Sequence, residues 1–157
     1  NHISKISGKA LCAAADVNRS TFYAHFRNQY DLLAYIEAEA LEDLKARLLA
    51  DGEPRTRNVE KILEYAKENA DVFLMLLDES EGGFQRQIME LAHLVDLQMS
   101  DQDAAVDADD LEYMYLFAVS GALGMLSHWL KKGTPQSPAE MSELLMSMIQ
   151  HGVEERA

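Results

Sequence analysis

Apolar residues recur along most of the chain at three- and four-residue intervals, the spacing that lines one face of an α-helix. Leu32, Leu33, Ile36, Ala40, Leu44 and Leu48 form one such face, in a helix expected from near Asn28 to about Ala50. Asp51-Gly52-Glu53-Pro54 then stops it, since Gly and Pro both oppose helix continuation. Val59, Ile62, Leu63 and Ala66 mark the next helix. The run Val72-Phe73-Leu74-Met75-Leu76-Leu77 is apolar all round, which predicts burial. Glu81-Gly82-Gly83 breaks it. A helix from Phe84 to about Met99 follows, with Ile88, Leu91, Ala92 and Val95 on one face, and Ser100 to Asp107 reads as an acidic loop. Leu111 to Lys132 is the longest mostly apolar segment, ended by Gly133. Ser137-Pro138-Ala139-Glu140 opens the last helix: a Ser cap, Pro at the first helical position, and Glu three residues after the cap. Its apolar stripe is Met141, Leu144, Leu145, Met148 and Ile149. There is no alternating β-branched run, and no Asn-Gly or Asp-Gly hairpin between such runs. The expectation is an all-α protein of about nine helical segments.

Two shorter helices are expected ahead of Asn28. Ser7 suits the N-cap of one running through Ala14, Ala15-Asp16-Val17 reads as a turn, and Asn18 or Ser20 caps a second that ends near His25 or Phe26. Ala10, Leu11 and Ala14 give the first helix a small apolar face that lets the second cross closely. Val17 is expected to plug the turn, and Phe22 and Phe26, spaced i and i+4, to seat the second helix. The opposite face then shows Arg19, Ser20, Thr21, Tyr23 and His25, hydrogen-bonding side chains on an element that fits a DNA major groove.

The stretch Ile6 to Phe26, continued by Tyr30-Asp31-Leu32-Leu33, resembles the helix-turn-helix of the TetR family of bacterial transcription regulators. Thr21-Phe22-Tyr23-x-His25-Phe26 carries most of that resemblance, which covers roughly the first 35 residues. Further on, Tyr65-Ala66-Lys67-Glu68-Asn69 leading to Phe73 and Leu77, then Gly121-x-x-Gly124, Trp129, Gly133 and Pro138, are similar to a TetR-type C-terminal domain. The resemblance implies a homodimeric repressor or activator, with repression the expected sign, acting on a palindromic double-stranded operator. Residues 1–35 would be the DNA-binding helix-turn-helix domain and residues 36–157 the helical effector-binding and dimerisation domain. DNA contacts are expected from Lys5, Ser7, Lys9, Asn18, Arg19, Ser20, Thr21, Tyr23, His25 and Gln29. Arg19 suits a guanine edge or a phosphate, whereas Tyr23 and His25 suit phosphate.

Three departures from the family pattern stand out. The family has a helix before this motif, and the chain opens on Asn1, so residues are expected to precede it. Asp16 stands where the turn usually has Gly, and Asp tolerates a left-handed backbone better than most residues. Gln29 stands where the family often has Lys, which keeps a hydrogen bond to phosphate but removes a charge.

Charge sharpens the picture. The chain carries a net −13, which taken alone argues against nucleic acid as a partner. Residues 1–30, however, hold Lys5, Lys9, Arg19 and Arg27 against Asp16, a net +3, and the other residues carry −16. A basic contact module on an acidic body is the implied arrangement. Such a body favours a neutral or cationic effector over an anionic one.

In the C-terminal part, Tyr65, Phe73, Leu77, Phe84, Met89, Tyr113 and Phe117 are the candidate effector-pocket residues, although aromatics at helical spacing also serve as core or interface. Met side chains would make a pocket wall adaptable. Ala118, Gly121, Ala122 and Met125 follow i, i+3, i+4, i+7, and with Leu145, Met148 and Ile149 they are the candidate dimer interface. Two successive helices with wide apolar faces and little chain left to cover them suit a self-complementary contact.

Other classes fare worse. No Gly-rich phosphate loop, nucleophile elbow or HExxH motif is present, so no enzymatic activity is expected. His93, Asp96 and His128 could in principle hold a metal, but polar residues on partly exposed helix faces explain them, and neither metal nor cofactor is expected. The single cysteine, Cys12, excludes an intrachain disulfide and reads as a small buried hydrophobe. No apolar run approaches the ~20 residues of a membrane span, no signal peptide opens the chain, and a reducing cytoplasmic setting fits. The alternative function is a TetR-like regulator or adaptor controlled by a protein partner, with no small-molecule pocket.

Overall fold

A computed structural model describes residues 3–49, 54–79, 83–99 and 108–154. Among the described residues, a 3₁₀ turn at Ile3–Lys5 is followed by eight α-helices: α1 (Gly8–Ala14), α2 (Arg19–His25), α3 (Gln29–Leu48), α4 (Arg55–Glu68), α5 (Ala70–Glu79), α6 (Gly83–Met99), α7 (Ala108–Lys131) and α8 (Pro138–Glu154). No strand occurs among the described residues, so the protein is all-α. The expected acidic loop at 100–107, the stop at 51–53 and the first two residues of the Glu81-Gly82-Gly83 break lie outside the described residues. The chain forms two compact units, Asn1–Glu42 and Asp43–Ala157, with the division inside α3.

In the first unit, local capping sets the helix ends. Ser7 Oγ accepts from the Ala10 amide at 3.2 Å, and Asn18 Oδ1 accepts from the Ser20 amide at 3.0 Å, each satisfying a first-turn donor. Asn28 Oδ1 does the same for Tyr30 and Asp31 at the start of α3, while Asp31 reaches back to the Arg27 amide. Between α1 and α2, Asp16 adopts φ 52°, and the Val17 amide donates to the Cys12 carbonyl at 2.9 Å. This is a Schellman-type ending, in which one left-handed residue turns the chain and the next amide satisfies a helix carbonyl. Phe22 is buried and meets Phe26 at 5.7 Å between ring centroids, and Phe26 meets Tyr35 edge-on at 5.6 Å.

Two expectations change here. The buried face of α1 is Gly8 and Cys12, four residues apart, whereas Ala10 and Ala14 are exposed. A glycine lets α2 approach more closely than an alanine does. Val17 is 40% exposed rather than buried, and its amide makes the hydrogen bond that closes the turn.

In the second unit α8 lies along α4, and α7 packs on α5, α6 and α8. The core is Leu63 and Ala66 of α4, Phe73, Leu76 and Leu77 of α5, Phe84 and Leu91 of α6, Leu126, Trp129 and Leu130 of α7, and Met141, Leu145 and Met146 of α8. Phe73 stacks edge-on against both Tyr65 and Phe84. Trp129 Nε1 donates to the Gln136 carbonyl at 3.1 Å, which ties the end of α7 to the connection into α8. That connection turns on Gly133, at φ 75°, and α8 opens with the reciprocal box expected of Ser137 and Glu140. Val72 is exposed, so α5 is not buried on all sides. Leu144 and Met148 are exposed too, and Met146 takes a core place outside the expected stripe of α8.

Candidate nucleic-acid interface and effector cavities

The first unit brings most of the expected DNA-contact residues onto exposed positions. α2 buries Phe22 and leaves Arg19, Ser20, Thr21, Tyr23 and His25 exposed. Lys5 and Lys9 are exposed on the 3₁₀ turn and α1, and Gln29 at the start of α3 is half-buried. Ser7 and Asn18 use their side-chain oxygens on helix caps, and Ser20 Oγ also donates to Asn18 Oδ1 at 2.9 Å. Their first role is therefore to set where the helices begin. Arg19, Thr21, Tyr23 and His25 are the exposed candidate contacts on α2 that do not serve as caps. Tyr23 sits edge-on to Phe22, with ring centroids 5.2 Å apart, and this packing aims a half-exposed phenol.

Farther along α3, Tyr35 donates to Glu39 at 2.6 Å. The hydrogen bond to that carboxylate, and then its charge, raise the Tyr35 pKa, because deprotonation would place two anions together. Partial burial raises that of Glu37.

The candidate effector residues do not meet in one place. Phe73 and Phe84 are core, and Tyr65 lies half-buried beneath Arg47, whose guanidinium carbon is 4.1 Å from the ring centroid. Leu77 and Met89 line a half-open cleft of about 420 Å³ among α5, α6 and α7, together with Gln85, Leu123 and His128. Tyr113 and Phe117 are 71% and 81% exposed, on the outer face of α7. An apolar position shows only that a side chain needs a partner, not which side of α7 that partner occupies.

A second cavity, about 170 Å³ and mostly apolar, lies among the end of α3 and α4, α6, α7 and α8. Leu48, Asn58, Val59, Val119 and Met146 line it, and Arg55 stands in its wall. Helical periodicity alone does not reveal it. The signal was Asn58, a polar residue in register with the apolar positions Ile62 and Ala66. It is 4% exposed, and its Nδ2 donates to the Leu48 carbonyl at 3.3 Å.

The candidate dimer residues also divide. Gly121 and Met148 are exposed, as are Tyr113, Leu116, Phe117 and Leu144. Space around Gly121 is open, with no heavy atom within 4 Å of where a Cβ would be. Ala122 and Met125 are half-buried, Leu145 is core, and Ala118 and Ile149 line the 170 Å³ cavity. His93 is exposed and edge-on to Tyr115, His128 is exposed near the end of α7, and the Asp96 side chain lies outside the described residues. Among the described residues no cluster of three metal-ligating side chains occurs, and no helix is long and apolar enough to cross a membrane.

Residues 56–151, more than half of the chain, match the family model for the C-terminal region of TetR-type transcriptional regulators. The chain belongs to this family of transcriptional regulators. No curated protein matches it.

Proposed function

We propose that this regulator is a homodimeric repressor that binds a palindromic DNA operator through residues 1–35 and is released by a small-molecule effector held in residues 36–157. The observation that carries the DNA reading is α2 itself. Its cap, Asn18, fixes the start, Phe22 is buried, and Arg19, Thr21, Tyr23 and His25 are presented outward. The +3 charge of residues 1–30 gives this surface an attraction for phosphate that the acidic body lacks.

Support for the dimer comes from the outward face of α7 and α8. Five large apolar side chains are exposed on these two helices, Tyr113, Leu116 and Phe117 on α7 and Leu144 and Met148 on α8, and the space around Gly121 is open. Several large exposed apolar groups on neighbouring helices favour an interaction surface. A two-fold contact places half-site centres about one DNA turn, roughly 34–36 Å, apart. Support for a small-molecule effector over a protein partner comes from the mostly apolar, half-open cavity of about 170 Å³, which is larger than a few waters.

The test is operator selection with the full-length protein, followed by anisotropy titrations across a salt series. Affinity should fall with salt by about 0.9 log units per log unit for each phosphate neutralised. Arg19→Ala should weaken operator binding while leaving the helical signal intact. Full-strength, salt-independent binding by a folded Arg19→Ala variant would remove α2 as the reading helix. Failure to select any DNA would favour the protein-partner reading.

A further inference from the structure

We propose that the 170 Å³ cavity takes a small monocarboxylic acid, its apolar body about the size of one aromatic ring and its carboxylate at Arg55. This rests on the effector reading above and names the ligand class. Size comes first: an apolar cavity of about 150 Å³ holds benzene, so this one accommodates a single ring or a short branched chain. Lining comes second. Val59, Ala118, Val119 and Met146 offer the body an apolar wall contributed by α4, α7 and α8.

Charge decides the head group. Among the described lining residues Arg55 is the charged one, and it is exposed, so it stands at the solvent side of the cavity. It is also the first residue of α4, where the helix macrodipole adds to the positive potential. A guanidinium carries five N–H donors, enough to keep an existing partner and hold a carboxylate as well. The acidic composition of the body points to a neutral or cationic ligand, but the charged side chain among the lining residues described is a guanidinium. Burying the ring keeps the apolar part from water while the carboxylate stays at the hydrated edge, which avoids the desolvation that an acid buried whole would suffer.

The placement also supplies a route to control. Leu48 lines the cavity and is the last residue of α3, the helix that opens at Gln29 in the same unit as α2. Its carbonyl is held by Asn58, another lining residue. A ligand that shifts Leu48 or Asn58 therefore acts on α3 directly.

The probes are phenylacetate, 2-phenylethanol and 2-phenylethylamine, titrated calorimetrically into the full chain without DNA. Phenylacetate should bind about tenfold tighter than the alcohol, and the amine weakest. Arg55→Gln should abolish that preference and leave the alcohol's affinity in place. Ala118→Phe should fill the cavity and remove binding of all three. Methyl NMR of the wild-type chain locates the site without a variant: shifts should centre on Val59, Val119 and Met146. No phenylacetate binding at millimolar concentration, equal affinity for the amine, or methyl shifts elsewhere would each overturn the proposal. Operator release is measured separately. Phenylacetate that binds here but leaves operator affinity unchanged counts against the effector reading alone. Operator release by some other ligand class in Ala118→Phe counts against this site alone.

Discussion

The hydroxyl of Tyr23 lies over Gly8: a Cβ on Gly8 would stand 2.7 Å from the phenolic oxygen and 3.5 Å from Cε1 of Phe22. The start of α1 is thus the seat on which α2 rests and from which Tyr23 is aimed. In Gly8→Ala the short contact is with the far end of a side chain, so Tyr23 should swing aside at little cost in stability, within about 1 kcal/mol. Operator affinity should nevertheless drop severalfold. In a Tyr23→Phe background, Gly8→Ala should add no further loss, and anisotropy titrations of the four proteins form the double-mutant cycle that reads this coupling.

Asp16 provides a second, purely structural expectation. At φ 52° it occupies the left-handed region that glycine enters without strain. Asp16→Gly should stabilise the first unit by up to about 1 kcal/mol, and Asp16→Val should destabilise it by about 1–2 kcal/mol. Urea unfolding followed by circular dichroism decides it. The same midpoint for all three proteins would mean that the turn is not under backbone control.

The exposed face of α7 is expected to close a dimer. Phe117 is 81% exposed, and burying such a side chain is worth about 1.5–3 kcal/mol. Phe117→Glu should therefore yield a monomer by light scattering at concentrations where the wild type is dimeric. Gly121→Leu should do the same by forcing helices apart, while its helical content is kept, because the space around Gly121 within one protomer is open. A dimer that survives both substitutions would place the interface elsewhere.

Glu140 predicts a pH dependence. Hydrogen bonds from the backbone and side chain of Ser137 lower its pKa in the folded protein. A lowered folded pKa means that the stabilisation is complete above the unfolded value and is lost as pH falls through the folded one. The gap in melting temperature between wild type and Glu140→Ala should be widest at neutral pH and narrow on acidification below the ordinary carboxylate range. A gap that is constant with pH would show that helix propensity, not the charged cap, carries the effect.

The helices were legible in the sequence because their ends are set by neighbours. Ser7, Asn18, Asn28 and Ser137 each sit within four residues of the amides they satisfy, and Asp16 and Gly133 supply left-handed turns where helices stop. Such contacts depend only on adjacent residues, so they can be read before any packing is known. Tertiary structure alone decided which apolar residues face inward. Phe73 and Phe117 both stand on apolar helix faces, yet Phe73 is 1% exposed and Phe117 81% exposed. Helical periodicity fixes the angle between two side chains on one helix but not the direction of the neighbour. α7 is apolar on more than one side, and among its described residues the buried ones are Leu126, Trp129 and Leu130. The 170 Å³ cavity is a product of packing for the same reason, since its walls come from the end of α3 and from four further helices widely separated along the chain.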